Sequence, residues 1–369
     1  MIYLDYSANT PVDARVLEQF CAVERRCIGN ANSHHQAGSA AKAEIDAATI
    51  KIASLLGVQP AEIIYTSGAS EANNFALKGL ARLSRHAGRH IISTPLEHSS
   101  VSGTLTALQE QGYEIDLLDV KQDGTVDLER LKDLLRPDTI CVAVTLVDSE
   151  LGVVQPVQEI AAILKAYPHC HLHVDATQAV GKIPVSFEGV DTMSLTAHKF
   201  YGLNGIGLLI KRRNLALEPL IHGGESTTIY RSGTPTVALA SSLACALDLA
   251  VTDLPGRVGH VAKLNAELRA ALRTYPLVRI NSPEHAIPSC TESERSERQG
   301  HCVPAGAGCQ RGLRLGQVSL LFGWSAFACG VCGQPRPPQR TVLLAHQPEP
   351  SDHRGRDQSP FAGVRCLLP

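Results

Sequence analysis

The sequence lacks an excess of charge of one sign and any long apolar run. Its 369 residues carry 34 Lys and Arg against 36 Asp and Glu, which gives a formal net charge of −2. Neither nucleic acid nor an anionic membrane is therefore indicated as a partner. No stretch approaches the roughly 18 unbroken apolar residues of a membrane-spanning helix, and residues 1–5 are not typical of a signal peptide. We therefore expect a cytoplasmic protein.

Cysteine is unevenly distributed. Five of the eleven cysteines lie in the first 289 residues, in apolar or helical contexts, and six lie in the last 80. The first five are typical of reduced thiols in a protein core. No internal repeat is evident, and no long charge run occurs before residue 290. The length is sufficient for two lobes with a large core.

Strands alternate with helices between residues 60 and 210. Apolar runs predict strands that begin at residues 62 and 90, and further strands at 114–118, 139–147 and 171–174. Helical spacing predicts helices at 13–26, with Asp13 as N-cap, and at 39–56, 104–111, 128–135, 157–166, 238–251 and 260–275. This alternation predicts the α/β class, with a mostly parallel sheet and a site at the carboxyl ends of its strands.

A lysine and an acid follow two successive apolar runs. Lys199 lies in S-L-T-A-H-K-F-Y-G-L-N-G-I-G (194–207), and Asp175 ends the run H-L-H-V-D. A lysine held in a pocket on such a turn has a lowered pKa and attacks aldehydes, although an isolated loop lysine is more often exposed. Together the two residues predict a pyridoxal phosphate (PLP) site, where the acid keeps the ring nitrogen protonated and the lysine captures the aldehyde.

A second motif, E-I-I-Y-T-S-G-A-S-E-A-N-N (62–74), combines a strand, a turn and a helix start. The free N–H groups of the first helical turn and the helix dipole form an anion site. Gly68 lets the backbone approach a phosphate, and the Ser70 hydroxyl can donate to it. The alternative is a plain N-cap at Ser67. Together with the lysine and the acid, the motif favours phosphate binding.

The motifs H-V-D-A-T-Q-A-V-G-K, S-L-T-A-H-K-F-Y-G, T-S-G-A-S-E-A-N-N, E-H-S-S-V and R-S-G-T resemble the class V aminotransferases and, within them, the cysteine desulfurases. The likeness runs from residue 3 to about residue 288. It implies a PLP-dependent large domain of the aspartate aminotransferase-like type (fold type I), a smaller C-terminal α/β lobe and a homodimer. It also implies sulfur transfer from L-cysteine, which leaves L-alanine, through a persulfide to a sulfur-acceptor protein in iron–sulfur cluster biosynthesis.

The resemblance assigns roles residue by residue. Lys199 and His98 are expected to be catalytic, with His98 stacked on the PLP ring, although a lone histidine is more often structural. Gln178 matches a donor to the ring oxygen, and Thr234 matches a residue that reaches the partner subunit's phosphate. Asp148 replaces the usual Asn, and an ionised acid cannot donate. The expected cofactor-binding residues are Gly68, Ala69, Ser70, His98, Asp148, Asp175, Gln178, Thr196, His198, Lys199 and Thr234, and no metal is expected.

The resemblance and the change of composition at Ser289 predict four segments. Residues 1–15 line the active site, 16–255 form the PLP-binding domain, 256–288 begin the small domain and 289–369 form an aberrant tail. The tail is rich in Pro, Arg, Gly, Ser, Gln and Cys, which is typical of disorder, with short exceptions such as residues 318–322. Its single C-x-x-C, at 329–332, is a weak sign of a redox or zinc site.

A frameshift near residues 288–289 is a third interpretation of the tail. If the gene is read one base late, codons can be chosen for residues 312–327 such that the shifted frame encodes a segment like the catalytic-cysteine loop of desulfurases. Residues 342–351 can likewise encode one like the segment whose arginine binds the substrate carboxylate. Trp324 has a single codon, and it forces glycine where the motif has glycine. Desulfurase turnover is then expected to be impaired. A different class V lyase or aminotransferase, or an inactive truncated product, stays open.

Overall fold

A computed structural model describes residues 3–224, 226–295 and 318–320. The predictions for residues 329–332 and 342–351, and for the rest of the tail apart from 289–295 and 318–320, lie outside the described residues. The helices are α1 (Ala14–Arg26), α2 (Gln36–Leu56), α3 (Ala69–Leu83), α4 (Ser99–Gln109), α5 (Leu128–Leu134), α6 (Val157–Leu164), α7 (Val237–Thr252) and α8 (Leu254–Arg273). The strands are β1 (Ile63–Thr66), β2 (His90–Ser93), β3 (Glu114–Leu117), β4 (Thr139–Thr145), β5 (His171–Asp175), β6 (Thr192–Thr196), β7 (Gly207–Lys211), β8 (Val278–Ile280), β9 (Thr291–Arg295) and β10 (Val318–Leu320).

Seven strands form the main sheet, in the order β1-β7-β6-β5-β4-β2-β3. The pairs between β6 and β3 are all parallel, whereas β7 runs antiparallel to both of its neighbours. The predicted α/β class and mostly parallel sheet are therefore confirmed. Every residue of β4, β6 and β7 is buried, as expected for strands that are covered on both faces.

Two apolar clusters cover the two faces of this sheet. Because successive side chains of a strand point to opposite faces, Ile91 and Ile92 of β2 belong to different clusters. One cluster includes the buried side chains of α3 and α4, and the other includes those of α1, α2, α6 and α7. The sheet and its two helical layers thus form a three-layer arrangement. The predicted site lies at the carboxyl ends of the parallel strands.

Local N-capping explains where several helices begin. Asp13 caps α1 as predicted, because its Oδ1 accepts from the Arg15 N–H at 2.9 Å. The structure starts α2 at Gln36 and α4 at Ser99, earlier than predicted, because the ring nitrogens of His35 and His98 act as caps. Helix α8 starts at Leu254 rather than residue 260, since Pro255 is tolerated in a first helical turn.

The alternative N-cap at Ser67 is wrong. Helix α3 begins at Ala69, and its N-cap position is occupied by Gly68. The Ser67 N–H group is instead taken by the Glu71 carboxylate, at 2.7 Å from Oε2. The strand therefore enters α3 through a glycine without a side-chain cap, which leaves the first-turn N–H groups free of a capping hydroxyl.

The C-terminal lobe contains a three-stranded antiparallel sheet in the order β10-β9-β8. Helix α8 packs on β8. Residues 289–295, which the sequence assigned to the tail, include β9, and Cys290, Thr291 and Glu292 are buried. Ordered structure thus continues past the predicted boundary. Strand β10 falls on the short run at 318–322 that the sequence set apart.

Among the described residues, no single helix has the length and hydropathy to cross a bilayer. Helices α7 and α8 meet the test of length and composition together, but only as a pair bent by 69°.

Gly207 allows a close approach that joins β7 to the start of α3. A Cβ atom there would lie 2.6 Å from the Leu195 carbonyl oxygen and 2.7 Å from the Gly68 Cα. Both neighbours are backbone atoms and cannot move without shifting β6 or α3. We expect Gly207→Ala to lower the free energy of unfolding by about 1–3 kcal/mol, measured by urea titration.

Gly103→Ala is the matched control. Gly103 is exposed on α4, and a Cβ there meets no atom within 4 Å. Because alanine is a better helix former, this variant should gain up to about 1 kcal/mol. Equal stability of the two variants would contradict the proposed close contact.

Candidate active site

Lys199 and Asp175 lie at the carboxyl ends of two adjacent parallel strands. Asp175 ends β5 and pairs in register with Ser194 of β6. Lys199 ends the 3-10 turn Ala197–Lys199, which follows β6 directly. The structure therefore brings together the two residues on which the PLP prediction depends. Burial lowers the pKa of Lys199, while the carboxylates of Asp5 and Asp175 act in the opposite direction.

The Asp175 carboxylate is held by two hydrogen bonds. Its Oδ1 accepts from the Thr177 N–H at 2.9 Å, and its Oδ2 accepts from Asn73 Nδ2 at 2.8 Å. Asn73 lies on α3 and is completely buried. Its amide oxygen accepts from the Ser194 hydroxyl at 2.5 Å. One amide thus connects α3, β5 and β6 behind the carboxylate.

His173 completes this buried network as a neutral ring. Burial lowers its pKa to about 4, although Asp175 acts in the opposite direction. Its Nε2 lies 3.0 Å from Asn73 Oδ1, and its Nδ1 lies 2.9 Å from Thr192 Oγ1. Since the Asn73 oxygen can only accept, Nε2 carries the proton and Nδ1 accepts from the threonine hydroxyl. The network therefore places no second charge against Asp175.

His98 lies at the exposed edge of the same network. It is the N-cap of α4, and its Nδ1 accepts from the Ser100 N–H at 3.1 Å. The Ser100 hydroxyl lies 2.8 Å from the same nitrogen and accepts from Asn73 Nδ2 at 2.9 Å. His98 is therefore linked to Asp175 through two side chains, with its ring accessible to solvent. This position is compatible with the predicted contact to a bound ring.

The start of α3 lies beside the Lys199 turn. Gly68 approaches Thr196, whose Oγ1 would be 3.6 Å from a Cβ at that glycine. Ala69 and Ser70 form the first turn of α3, where N–H groups lack intrahelical partners. Glu71 in the same turn binds Arg231 at 2.9 Å. Burial raises the pKa of Glu71, but the hydrogen bonds from Arg231 and Ser67 together hold it below its usual range.

Thr196 and His198 belong to the Lys199 turn. The Thr196 hydroxyl lies 3.1 Å from His198 Nδ1 and 3.2 Å from the Ile206 carbonyl oxygen. Burial, Lys199 and Lys182 lower the pKa of His198 to about 4. His198 is therefore neutral, and the turn carries its positive charge on Lys199.

Gln178 and Asp148 are buried near this turn but engaged differently. Gln178 Nε2 donates to the Ser7 carbonyl oxygen at 3.1 Å, and Gln178 Oε1 accepts from Lys182. Asp148 Oδ2 accepts from the Leu151 N–H at 2.5 Å, within its own turn, and burial raises its pKa. The Asp148 side chain thus caps a turn, which is a local role that an Asn oxygen could also fill.

Thr234 is placed apart from these buried side chains. It is exposed in the loop that precedes α7, three residues after Arg231. Arg231 ties this loop to the first turn of α3 through Glu71. The loop therefore borders the predicted phosphate site, while the Thr234 side chain itself faces outward.

These residues fit PLP. The structure offers an amine with a lowered pKa, a carboxylate held by two donors at the neighbouring strand end, and the first turn of α3 beside both. Within residues 3–224, 226–295 and 318–320, no group of three or more His, Cys, Asp or Glu side chains could hold a metal ion. The arrangement supports capture of an aldehyde whose ring nitrogen needs an acid and whose phosphate needs N–H donors.

The sequence analysis missed four residues that the structure places in or beside the site: Ser7, Asn73, Glu97 and Lys182. Asn73, Glu97 and Lys182 each lie inside one of the motifs of the sequence analysis, which assigned them no role. The available signal was polarity within segments that were otherwise buried, because a buried polar group needs a partner. The identity of the partner came from the tertiary structure.

Glu97 is a buried carboxyl group beside the site. Its Oε1 accepts from the Thr94 hydroxyl at 2.7 Å and from the Thr145 N–H at 2.8 Å, whereas its Oε2 is buried and has no hydrogen-bond partner among the described residues. Burial raises its pKa to about 8, and the nearby carboxylates Asp175 and Asp148 act in the same direction. Glu97 is therefore protonated at neutral pH.

The protonation of Glu97 predicts a pH dependence of stability. In the unfolded chain Glu97 loses its proton near its usual pKa of 4.5, whereas the folded chain keeps it until about 8. Between these values the folded state binds more protons, so the free energy of unfolding falls by about 1.4 kcal/mol per pH unit as pH rises. Glu97→Gln does not titrate and should remove this decline in urea titrations at several pH values without cofactor.

The control for this prediction is Glu110→Gln. Glu110 is exposed at the end of α4, so the variant should keep the pH slope of the parent chain. The same slope in the parent and in Glu97→Gln would show that Glu97 ionises normally.

Comparison with known proteins agrees with this geometry. The profile of the family described as Aminotransferase class-V matches residues 2–297. A NifS/IcsS protein homolog of Lactobacillus delbrueckii subsp. bulgaricus is 39% identical over 312 residues, covering 82% of this chain and 81% of that protein. The cysteine desulfurase IscS of Dictyoglomus turgidum is 38% identical, covering 71% and 67%. A probable mitochondrial cysteine desulfurase of Schizosaccharomyces pombe is 36% identical, and the chain spans 62% of its length.

Solved structures show the same likeness. A NifS-like protein superimposes with a TM-score of 0.78 at 37% identity, covering 80% of this chain and 81% of that chain. A structure of SspA in complex with cysteine has a TM-score of 0.73 at 31% identity, covering 80% and 84%. The fold is therefore that of these PLP enzymes, as the sequence predicted. The chain belongs to the class V aminotransferases, a family of PLP-dependent enzymes.

Proposed function

We propose that this chain performs the chemistry of a PLP-dependent cysteine desulfurase, which removes sulfur from L-cysteine and leaves L-alanine. The observation that carries the proposal is the placement of Lys199 and Asp175 at adjacent strand ends. The choice of substrate is supported by relatives named cysteine desulfurase and by a structural neighbour that was solved with cysteine.

The residues of the chain divide the work. Bound at this site, PLP supplies an electron sink for the α-carbon of an amino acid. Lys199 holds the cofactor through Nζ and, once released, takes the proton from the α-carbon of the substrate. Asp175, fixed by Asn73 and Thr177, keeps a proton on the ring nitrogen. The first turn of α3 binds the phosphate.

The N-terminal segment positions the lysine turn. The Thr10 hydroxyl donates to the His198 carbonyl oxygen at 2.8 Å and accepts from the Tyr201 N–H at 2.7 Å, so it holds the chain on both sides of Lys199. Tyr201 has a φ of 66°, a conformation that is costly for a bulky residue and needs such support. The Lys199 amine donates to the Ala8 carbonyl oxygen at 2.8 Å, which it must leave to capture an aldehyde.

Transfer of the sulfur needs a thiolate. Burial raises the pKa of Cys141 and Cys290, and raises that of Cys170 to about 12. The Cys290 thiol donates to the Glu150 carbonyl oxygen at 2.7 Å. These three thiols of the described residues stay protonated and are poor nucleophiles. We therefore propose cofactor binding with weak or absent desulfurase turnover.

Several finer predictions stay part of this proposal. They are a homodimer in which Thr234 reaches the partner's phosphate, a sulfur-acceptor protein, a role in iron–sulfur cluster biosynthesis and a cytoplasmic location. The second candidate is another class V lyase or aminotransferase, which needs no thiolate and is therefore compatible with the protonated thiols of Cys141, Cys170 and Cys290.

The cofactor half and the sulfur half can be tested in one experiment. We expect the purified chain with added PLP to show a visible absorbance band of the lysine-bound cofactor, and to release little alanine and sulfide from L-cysteine. Lys199→Ala should abolish the band, because the aldehyde loses its amine.

Lys165→Ala, an exposed lysine at the end of α6, should keep the band. A parent chain without a band would refute the cofactor site. Alanine and sulfide released at the rate of an intact desulfurase would refute the impairment, and transfer of an amino group to an added keto acid would favour the second candidate.

The frameshift hypothesis predicts a specific nucleotide sequence. We expect the gene, sequenced across codons 285–295 from genomic DNA and from the transcript, to contain an insertion or deletion relative to an open frame that encodes the cysteine and arginine motifs. Restoring that frame should raise sulfide release by several orders of magnitude, since it supplies the attacking thiolate. An unbroken frame in the transcript would dispose of the hypothesis.

A further inference from the structure

Lys182 is a second lysine beside the site, and the reaction above gives it no role. It lines a small cavity that is open to solvent, together with Tyr6, Lys199, Arg257 and Ser289 among others. The turn at Gly181 directs it there, with a φ of 76° and a Cβ position only 3.1 Å from the Phe200 Cβ. Burial and the Lys199 cation lower its pKa to about 7.

Keeping a lysine in this place costs solvation free energy. Burial is the main cause of the lowered pKa of Lys182, and the Lys199 cation acts in the same direction. A side chain that served only to fill space between the lobes would be better as an apolar residue. The hydrogen bond that Lys182 makes to Gln178 Oε1 therefore deserves a functional explanation.

The Lys182 bond decides which way the Gln178 amide points. Lys182 Nζ donates to Gln178 Oε1, so the amide oxygen faces Lys182 and the NH₂ group faces away. On that side Gln178 Nε2 donates to the Ser7 carbonyl oxygen at 3.1 Å and to the Ser7 hydroxyl at 3.2 Å. The Ser7 carbonyl oxygen can only accept and favours the same orientation, so Lys182 and Ser7 hold the amide from its two ends.

The Ser7 carbonyl oxygen also accepts from the Lys199 amine. The NH₂ group of Gln178 and the reactive amine thus converge on a single oxygen atom. The Gln178 NH₂ group therefore donates to an oxygen acceptor beside the Lys199 amine, and Lys182 holds the other end of the same amide. In this structure the acceptor is Ser7, and an oxygen of the aldehyde cofactor would be the acceptor when it is bound at Lys199.

We propose that Lys182 is a positioning residue that holds the Gln178 amide with its NH₂ group toward the oxygen acceptor beside Lys199. This inference rests on the proposed function, because the acceptor oxygen belongs to PLP. Lys182 acts through Gln178 and does not touch the reacting atoms. Loss of Lys182 should therefore change the bound cofactor's electronic environment rather than abolish its capture.

The test uses the full chain loaded with PLP. The measurements are the dissociation constant of PLP and the pH midpoint of its visible absorbance band. Lys182→Met keeps the unbranched stem but removes the donor, and should weaken PLP binding by about 10-fold and shift the midpoint. Lys182→Arg restores a donor that cannot accept and should restore both values toward those of the parent chain.

Gln178→Glu separates the two ends of the amide. The variant keeps an acceptor for Lys182 and loses the NH₂ group, so it should shift the midpoint at least as far as Lys182→Met. The exposed Lys165→Met is the matched control and should behave as the parent chain does. Thermal unfolding of each variant without cofactor shows whether a change reflects folding.

A readout without cofactor tests the same orientation. The side-chain NH₂ signals of Gln178 in a ¹⁵N NMR spectrum, assigned by their loss in Gln178→Glu, should shift or broaden in Lys182→Met and recover in Lys182→Arg. Unchanged signals and an unchanged midpoint in Lys182→Met would overturn the inference. A lower unfolding temperature that Lys182→Arg does not rescue would overturn it too, in favour of a structural role. A parent chain that binds no PLP would refute the proposed function itself.

Discussion

The hydrogen bond from Asn73 to Asp175 is the interaction on which the site depends. It joins a side chain of α3 to the carboxyl end of β5, and the same amide accepts from Ser194 on β6. Three elements that carry the predicted phosphate, ring-nitrogen and aldehyde contacts are thereby fixed relative to one another. Because Asn73 is completely buried, removal of its amide would take the donor from Asp175 Oδ2 and leave the carboxylate with the Thr177 N–H alone of its two donors.

Burial shifts the pKa values of the ionisable groups around this hydrogen bond and so decides which of them are charged. Lys199 and His198 have lowered pKa values, and Glu97 has a raised one, each with burial as the main cause. Neutral groups therefore surround a small number of charges, of which Asp175 is held by two donors. A bound cofactor that carries a phosphate and a protonated ring then meets a site in which few charges need to be displaced. Burying Lys199, His198 and Glu97 lowers the free energy of unfolding, and this loss accompanies the preorganised site.

The sequence predicts site residues that lie at strand ends better than it predicts residues whose role depends on tertiary contacts. Lys199 and Asp175 were predicted together because an acid at a strand end and a lysine on the next loop are typical of a PLP site. The structure brings them to one edge because the carboxyl ends of adjacent parallel strands meet there. Asn73 could not be predicted in the same way, since its role depends on which side chain faces it from another element. The N-cap at His98 was missed for a different reason: histidine is uncommon as a cap, and propensity pointed further along the chain.

The division of the chain follows the same logic. Apart from the loop of Thr234, the described elements that we propose to hold the cofactor precede residue 212, and the large sheet and α3 provide their contacts to one another. The sulfur-accepting thiolate of the family belongs to the later part of the chain, in the motif that the predicted shift of frame would remove. A change of frame after residue 288 would leave the main sheet and α3 as encoded and would alter the residues that follow, of which Cys290 donates to the Glu150 carbonyl oxygen and Ser289 lines the cavity beside Lys199. In the proposed function, capture of an aldehyde depends on the elements that the buried Asn73 network joins, whereas transfer of sulfur depends on a thiolate from the later part of the chain.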